Sequence, residues 1–365
     1  MEAKRIAVLG CTGSVGTQAL DVAARNGYDV RAVSCARRID IAEDTVRRFG
    51  VRLCAVSDKE AASRLRAALR DTECKVIGGD DAAALVAEET DADTVLNAIT
   101  GVAGLMPTVR TLESGKSLAL ANKESLVTAG AYVMRLAEKN KKEILPVDSE
   151  HCAVWQSLLA GKRSDVKRII LTASGGPFFG YTSEQLSRVK AADALKHPTW
   201  NMGAKITVDS ATMMNKGFEI IEAAWLFGAT ADMIDVIVHR ESIIHSMVEY
   251  KDNMIIAQLG APDMRSCIQY ALTAPDRIEG AAESLDFARL AKKAHSLGGT
   301  FGAALNGANE AAVAMFLKDG ITLPELFRVV TEATLATGGE GEEPEAVLEA
   351  DRRARAFVSA NARKI

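Results

Sequence analysis

Two carboxylates lie at a position where α/β proteins bind their ligands. Asp148 and Glu150 directly follow the β-branched run at residues 144–147, and open α/β sheets bind ligands outside the carboxyl ends of their strands. If the segment is extended, both side chains point to the same side, and a cation between them would relieve their repulsion. Oxygen ligands of this kind suit Mg²⁺ or Mn²⁺. The alternative is a pair of solvated acids.

A second polar segment, at residues 209–219, precedes an apolar helix. Lys216, together with Ser210 and Asn215, has the charge and the hydrogen-bond donors to hold a phosphate dianion. Glu219 would project from the first helical turn as a third carboxylate. The alternative is an ordinary capped helix start with a solvated lysine.

Two irregular loops add candidate contacts. Residues 173–178, Ala-Ser-Gly-Gly-Pro-Phe, end a predicted strand and would expose backbone N–H groups to an anion, or form a simple glycine turn. Residues 197–203, His-Pro-Thr-Trp-Asn-Met-Gly, could form a lid over a polar substrate. The second loop is equally compatible with a segment that Trp200 anchors in the core.

A glycine-rich loop, Gly10-Cys-Thr-Gly13-Ser-Val-Gly16, follows the first predicted strand and opens a helix. Glycine lets the backbone approach a pyrophosphate closely, and the helix N-terminus supplies N–H donors. Its place in a βαβ unit therefore predicts a dinucleotide site. An ordinary tight turn is the alternative.

The end of the second predicted strand indicates which dinucleotide is bound. An NAD enzyme usually places an acid there, whereas this chain has Ala36, Arg37 and Arg38 with no carboxylate before Asp40. Two guanidinium groups would attract a 2′-phosphate. The sequence therefore favours NADP(H), although both arginines could simply be solvated at a helix start.

The elements that position these residues change in kind along the chain. Up to residue 148, short β-branched runs alternate with helical spacing, which predicts a parallel sheet with helices on both faces. Candidate strands there are residues 5–9, 30–34, 53–56, 75–77, 94–99, 117–120 and 144–147, and candidate helices are residues 15–25 and 126–137.

Beyond residue 148 the pattern indicates a mixed or antiparallel sheet. Predicted strands are residues 166–172, 236–238, 243–250 and 254–259, with helices at 182–189 and 218–227. Lys251-Asp252-Asn253 is a hairpin signal between the last two strands, and Thr182 with Gln185 forms a candidate capping box. An exposed sheet of this kind often mediates dimerisation.

We therefore predict an α/β protein with a Rossmann-type doubly wound N-terminal sheet, a central α+β domain and a helical C-terminal domain. The predicted boundaries are 1–148 for the NADPH-binding domain, 149–273 for the catalytic and dimerisation domain, 274–299 for a linker, and 300–365 for helices at 307–318, 323–336 and 344–360.

Composition excludes several classes of partner. The 365 residues carry a net charge of −4 and only 5% aromatic residues, so we expect neither nucleic acid nor an anionic membrane to bind. The six cysteines form no Cys-x-x-Cys pair, which argues against a disulfide framework or zinc site. With no secretory or transit signal recognised before the first strand, we expect a cytoplasmic protein.

Taken together, these motifs closely resemble the 1-deoxy-D-xylulose 5-phosphate reductoisomerase family. The stretches that carry the resemblance are residues 9–16, 119–127, 146–151, 173–178, 197–203, 208–219, 243–250 and 259–265, in the family's order. The long block at 208–219, Val-Asp-Ser-Ala-Thr-Met-Met-Asn-Lys-Gly-Phe-Glu, is highly specific, whereas the glycine loop alone is not.

The resemblance implies a homodimer that uses NADPH and Mg²⁺ or Mn²⁺ to convert 1-deoxyxylulose 5-phosphate to 2-C-methylerythritol 4-phosphate. It implies metal binding by Asp148, Glu150 and Glu219, and catalytic roles for these three with Lys123 and His197. Substrate contacts are implied for Lys123, Ser149, Glu150, Ser174, His197, Trp200, Met202, Ser210, Asn215, Lys216 and Glu219. Cofactor contacts are implied for Gly10, Thr12, Gly13, Ser14, Val15, Ala36, Arg37, Arg38, Asn122, Glu124 and Gly203.

The chain departs from the family pattern at a few positions, and two other functions compete with this one. Cys11 replaces a usual Ser, residues 35–38 replace an Ala-Gly-Lys-Asn-like turn, and residues 240–241 replace Pro-Gln. A metal-independent semialdehyde dehydrogenase would need an active cysteine, for which Cys152 beside His151 is the candidate. A non-catalytic NADPH sensor would not need three carboxylates and a phosphate cluster.

Overall fold

The computed structural model describes residues 3–196, 200, 203–280, 289–318 and 320–362. The chain divides into two compact units, residues 1–284 and 285–365. The first unit contains, in chain order, β1 (Arg5–Leu9), α1 (Ser14–Arg25), β2 (Asp29–Cys35), α2 (Ile39–Phe49), β3 (Leu53–Val56), α3 (Lys59–Ala68), β4 (Lys75–Gly78), α4 (Ala82–Glu89), β5 (Thr94–Asn97), α5 (Leu105–Glu113), β6 (Ser117–Leu120), α6 (Lys123–Lys139), β7 (Ile144–Pro146), α7 (Ser149–Ser157), β8 (Val166–Ala173), α8 (Ser183–Leu186), α9 (Ala191–Ala194), α10 (Ala204–Ala211), α11 (Met214–Phe227), β9 (Ile234–Val238), β10 (Ile244–Tyr250), β11 (Ile255–Leu259) and α12 (Met264–Thr273).

A seven-stranded parallel sheet forms the first part of this unit, in the order β4-β3-β2-β1-β5-β6-β7. The strands up to β4 extend to one side of β1, and β5 returns to its other side, where Ile6 pairs with Thr94. The order therefore reverses between β1 and β5, which makes this position the topological switch point of a doubly wound sheet. The predicted fold class and strand positions are confirmed.

The core of this sheet follows from its short apolar strands. Ile6, Val8 and Leu9 of β1 are fully buried, and burying each such side chain stabilises the fold by about 1.5–3 kcal/mol. Helix α1 buries a face of small and branched residues that includes Ala19 and Val22. Runs that are apolar on consecutive residues are what a strand covered on both faces requires.

A four-stranded mixed sheet, in the order β11-β10-β8-β9, forms the second part. Strand β10 runs antiparallel to β8 and β11, and β8 runs parallel to β9. The predicted hairpin between β10 and β11 is confirmed, with Asn253 in the left-handed region at φ 66°. The predicted capping box of Thr182 and Gln185 is also confirmed, although helix α8 is shorter than expected.

The second unit contains α13 (Arg289–Leu297), α14 (Phe301–Phe316), α15 (Leu323–Thr337) and α16 (Pro344–Asn361). Its core is built from alanines and valines on facing helices, among them Ala304, Ala308, Val329, Ala354 and Val358. Small residues of this kind let helices approach closely. The prediction of a helical C-terminal part is confirmed, and helix α14 begins six residues earlier than predicted.

Part of the predicted linker at 274–299 is helical. The sequence predicted a linker there, and this prediction is wrong for α13, residues Arg289–Leu297. Gly298 and Gly299 follow the end of this helix in the left-handed region, with φ of 68° and 49°. Among the described helices, none combines the length and apolar character needed to cross a membrane.

Candidate active site

A cavity of about 780 Å³ is lined by residues that follow β1, β5, β6 and β7. It therefore lies at the carboxyl edge of the parallel sheet, where the strand order reverses. The predicted site residues that line it are Gly13, Ser14, Val15, Asn122, Lys123, Glu124, Asp148, Ser149, Glu150, Ser174, Trp200, Gly203, Ser210, Asn215, Lys216 and Glu219. His197 and Met202 lie outside the described residues.

Asp148 and Glu150 are positioned by the start of helix α7. Asp148 is extended, with φ −145° and ψ 141°, and its carboxylate caps the helix by accepting from the N–H groups of Glu150 and His151, each at 3.0 Å. Glu150 lies in the first helical turn. The segment is therefore not extended through Glu150, because capping by Asp148 starts a helix immediately.

Glu219 reaches the same place from helix α11. This helix begins at Met214, so Glu219 lies in its second turn and the first-turn expectation is wrong. The left-handed conformation of Met213, φ 62°, separates α10 from α11 and lets the second helix start early. One ligand oxygen from each of Asp148, Glu150 and Glu219 lies within 4.8 Å of the others.

Two buried lysines partner these carboxylates. Lys216 Nζ lies 2.7 Å from Glu150 Oε1 and also donates to Glu219. Lys123 Nζ donates to Asp148 and lies 3.4 Å from Glu219 Oε1. The two ammonium groups offset the negative charge of the acidic oxygens.

Burial and pairing shift the ionisation of these groups. Burial raises the pKa of Glu219, with Glu150 adding to the effect. The pKa of Asp148 lies well below its usual range, because Lys123 and His151 outweigh the opposing effect of burial. The pKa of Lys216 rises to about 12, since Glu150 and Glu219 outweigh burial. Pairing therefore favours the ionised forms of Asp148 and Lys216, whereas burial disfavours the ionised form of Glu219.

Two further charged residues join this network and were not predicted as site residues. Glu222 is 4% exposed and lies 3.7 Å from Lys123 Nζ, and burial raises its pKa to about 7. His151 is 1% exposed, with Nδ1 3.0 Å from Asp148 Oδ1 and Nε2 donating to the Glu219 carbonyl at 3.0 Å. The spacing of Glu222, three residues after Glu219 on one helix, was a signal that could have found it.

The proposed phosphate cluster converges on the cavity from three elements. Ser174 follows β8, Ser210 lies in α10, and Asn215 with Lys216 opens α11. Asn215 Nδ2 donates to Glu219 Oε1 at 2.5 Å, so the predicted phosphate cluster is in direct contact with the carboxylate group. The arrangement places hydrogen-bond donors directly beside the acidic group.

The glycine loop forms a tight passage from β1 to α1. Gly10 has φ 80°, and a Cβ on it would lie 2.7 Å from the Ala98 carbonyl oxygen. No side chain caps the N-terminus of α1 at Gly13, and Gly13 and Ser14 line the cavity. Gly10 and Thr12 themselves do not line the cavity.

The residues predicted to bind the 2′-phosphate follow β2, which adjoins β1 in the sheet. Ala36, Arg37 and Arg38 are exposed and do not line the cavity. Arg37 Nε lies 3.1 Å from Asp58 Oδ2, and the other oxygen of Asp58, Oδ1, caps α3 by accepting from the Ala61 N–H. The pair is exposed, so it holds Arg37 weakly.

Asn122 and Glu124 hold the start of helix α6. Asn122 Oδ1 accepts from the Ser125 N–H at 3.0 Å, and Asn122 Nδ2 donates to Glu124 Oε2 at 2.9 Å. Lys205 of α10 lies 2.9 Å from Glu124 Oε1 and 2.7 Å from Asp209 Oδ2. Lys205 thus links the segment after the predicted lid to a residue predicted to contact the cofactor.

Of the predicted lid at 197–203, the structure describes Trp200 and Gly203, and both line the cavity. The ring of Trp200 lies 6.3 Å from that of His245, which also lines the cavity. His245 was quoted only as part of a motif and was not predicted as a site residue. Burial lowers its pKa.

Cys152, the nucleophile required by the dehydrogenase alternative, is unsuited to that role. It is 2% exposed, and burial raises its pKa to about 12. Reactive cysteines need a thiolate and access to the substrate. The geometry therefore disfavours the semialdehyde dehydrogenase alternative.

Family models match most of the chain. The model described as 1-deoxy-D-xylulose 5-phosphate reductoisomerase matches residues 6–130. A model for the C-terminal domain of this reductoisomerase matches residues 144–227, and one described as DXP reductoisomerase C-terminal domain matches residues 259–357.

Relatives and solved structures agree over the full length. The 1-deoxy-D-xylulose 5-phosphate reductoisomerase of Exiguobacterium sibiricum is 48% identical, covering 98% of this chain and 98% of that protein. The enzyme of the same name from Ruminiclostridium cellulolyticum is 47% identical, covering 90% and 91%. The solved reductoisomerase of Zymomonas mobilis in complex with NADPH has a TM-score of 0.73 at 37% identity, covering 100% of both chains.

A solved DOX-P reductoisomerase in complex with NADPH, fosmidomycin and magnesium has a TM-score of 0.75 at 34% identity, covering 98% of each chain. The identities, the coverage and the family models lead to one conclusion: this chain belongs to the 1-deoxy-D-xylulose 5-phosphate reductoisomerase family.

Proposed function

We propose that this chain isomerises and reduces 1-deoxy-D-xylulose 5-phosphate to 2-C-methyl-D-erythritol 4-phosphate, using NADPH and a divalent metal ion, in non-mevalonate isoprenoid precursor synthesis. The observation that carries the proposal is the convergence of Asp148, Glu150 and Glu219 in a cavity that the glycine loop also lines. The metal ion, NADPH and the substrate would therefore bind next to one another in this cavity.

The carboxylate group fits a hard divalent ion. Its three members present only oxygen ligands, each within 4.8 Å of the others, and such ligands suit Mg²⁺ or Mn²⁺. Lys123 and Lys216 now donate to these oxygens. An ion would take over the charge compensation that the two ammonium groups provide.

The glycine loop fits a dinucleotide phosphate group. The N-terminus of α1 faces the cavity without a side-chain cap, and a side chain at Gly10 would collide with the Ala98 carbonyl. Helix N–H groups and close backbone approach are what a pyrophosphate requires. We assign Arg37 and Arg38, at the end of the neighbouring strand, to the 2′-phosphate of NADPH.

When bound, the metal ion supplies Lewis acidity for the carbon–carbon rearrangement and NADPH supplies hydride to the resulting branched aldehyde phosphate. The chain's own residues orient the substrate. Ser174, Ser210, Asn215 and Lys216 hold the phosphate, which is remote from the reacting bonds, and so fix the position of the carbon skeleton. Lys123 and Ser149 contact the substrate on the metal side, and Trp200 limits water access.

The test is NADPH absorbance in the presence of 1-deoxyxylulose 5-phosphate, with and without Mn²⁺. We expect one NADPH to be consumed per substrate molecule only when the ion is present, and chelation to stop the reaction until Mn²⁺ is restored. Metal-independent consumption would point to an ordinary dehydrogenase. No consumption with this substrate would favour the non-catalytic sensor.

We also propose that two chains form a homodimer through the outer face of the four-stranded sheet. Ile255 and Leu259 of β11 lie on the same side of their strand and are 49% and 51% exposed, and Ile237 of β9 is 41% exposed. Apolar side chains at both edges of one sheet are typical of an association surface.

A cytoplasmic location is part of the proposal. The six cysteines are free thiols, and five of them are buried. Thiols that remain unpaired suit a reducing compartment.

A further inference from the structure

Glu222 is a buried carboxylate beside the active site with no assigned role. It lies on α11, three residues after Glu219, and is 4% exposed. Its Oε2 atom lies 3.7 Å from Lys123 Nζ and has no hydrogen-bond partner in the described part of the chain. A buried acceptor left in this way costs free energy unless another state of the site uses it.

The contacts of Lys123 indicate which other state of the site would use Glu222. The Lys123 side chain is 10% exposed, and its ammonium group lies near three carboxylates: it donates to Asp148, lies 3.4 Å from Glu219 Oε1, and lies 3.7 Å from Glu222 Oε2. Asp148 and Glu219 belong to the group whose oxygens converge within 4.8 Å. Glu222 lies outside that group.

A cation held by Asp148 and Glu219 would compete with Lys123 for their oxygens. A buried ammonium group that loses its partners is strongly destabilising, whereas one that keeps a carboxylate is tolerated. Glu222 is the carboxylate near Lys123 Nζ that metal binding leaves available.

We infer that Glu222 is a positioning residue, which keeps Lys123 paired and directed at the cavity when Asp148 and Glu219 bind the metal ion. The inference rests on the proposed metal site. Glu222 then acts on the ion through Lys123 and does not ligate it, in the way that groups behind metal ligands tune a site.

The test is Mn²⁺ affinity of the cofactor-free protein, measured from the electron paramagnetic resonance signal of free Mn²⁺. Glu222→Gln keeps the shape and removes the charge, so Lys123 competes harder for Asp148 and Glu219, and the Kd for Mn²⁺ should rise on the order of tenfold. Glu222→Asp retains the charge, so its Kd for Mn²⁺ should lie within about threefold of that of the unmodified protein.

A double-mutant cycle separates action through Lys123 from a direct effect on the ion. In a Lys123→Met background, Glu222→Gln should change the Kd by less than about twofold, because the competing ammonium group is gone. Glu249→Gln is the matched control: this buried carboxylate pairs with Lys167 and Arg168 in the second sheet, and its removal should leave Mn²⁺ binding unchanged.

The outcomes distinguish the two proposals. The role of Glu222 would be overturned if Glu222→Gln weakened Mn²⁺ binding equally in the unmodified and the Lys123→Met backgrounds. It would also be overturned if Glu222→Gln protein, shown by circular dichroism to be folded, had an unchanged Kd for Mn²⁺. Either result would leave the metal site intact. Failure of the unmodified protein to bind Mn²⁺ would overturn the metal site itself and this inference with it.

Discussion

Gly130 of helix α6 lies directly against the indole ring of Trp225 of helix α11: a Cβ on Gly130 would come within 2.3 Å of Trp225 Cδ1. Helix α6 begins at Lys123 and α11 carries Glu219, so this contact sets how closely the two helices approach. The backbone of α6 departs from helical geometry at Ala129, φ −138° and ψ 25°, just before the contact. Because α6 carries Lys123 and α11 carries Glu219, the packing of these two helices bears on the 3.4 Å separation of Lys123 Nζ from Glu219 Oε1 in the cavity.

Gly130→Ala should therefore disturb both stability and activity. Alanine normally favours a helix interior by about 1 kcal/mol over glycine, but overpacking against Trp225 should cost about 1–3 kcal/mol. We expect a lower free energy of unfolding in urea and a lower kcat. Gly302→Ala is the control, because a Cβ on this helical glycine meets nothing within 4 Å. A fully stable and active Gly130→Ala protein would show that the helix spacing does not depend on this contact.

Glu219→Gln should nearly abolish turnover while leaving NADPH binding largely intact. The change removes the charge from the one carboxylate of the three that is fully buried, and loss of a metal ligand costs on the order of a hundredfold or more in activity. The measurements are kcat with Mn²⁺ and the Kd for NADPH from its fluorescence. Near-normal kcat in this variant would refute the metal assignment.

The sequence predicted the parallel sheet and the carboxylates of the cavity because both depend on local signals. β-Branched runs marked the strands, and Asp148, Glu150 and Glu219 lay where strands and helices end or begin. Helix α7 was missed, since its nine residues Ser-Glu-His-Cys-Ala-Val-Trp-Gln-Ser show little amphipathic pattern, although an Asp at the N-cap was a signal for it.

The burial of the charge network behind the ligands could not be predicted, although the spacing of Glu222 from Glu219 places the two residues on one face of α11. Glu222 and His151 look like ordinary surface residues in the sequence, because charged side chains are mostly exposed. Their burial depends on the packing of α7 against α11, which brings together residues 68 positions apart, as the contact of His151 with the Glu219 carbonyl shows. No local pattern encodes such a contact.

Arg38→Ala should weaken NADPH binding and leave NADH use almost unchanged. A lost charge-assisted hydrogen bond to the 2′-phosphate costs about 1.5–3 kcal/mol, so the KM for NADPH should rise about tenfold or more. Arg52→Ala is the matched control, since this exposed arginine precedes β3 at the opposite, amino edge of the sheet. An equal effect on both nucleotides would place the 2′-phosphate elsewhere.

Alkylation of the protein with iodoacetamide should leave activity intact. Cys152 is 2% exposed and burial raises its pKa to about 12, so little thiolate is available to react. Cys74 is the partly exposed thiol and should be labelled first, which peptide mass spectrometry can follow alongside the NADPH assay. Inactivation that tracks labelling of Cys152 would revive the dehydrogenase alternative.

The double variant Ile255→Lys, Leu259→Lys should be monomeric. Both side chains lie on the face of β11 that points away from the core, because Ile256, between them, pairs in register with buried Val248. Two buried lysines on each partner would oppose association through desolvation and repulsion, whereas the free monomer loses no internal contact of the core. Light scattering after size exclusion should give the mass of one chain for the variant and of two chains for the unmodified protein.

Leu348→Lys is the control for the dimer prediction, because Leu348 is 63% exposed on α16. It tests whether any added surface charge has the same effect. A dimer that survives the double substitution would place the interface on another surface.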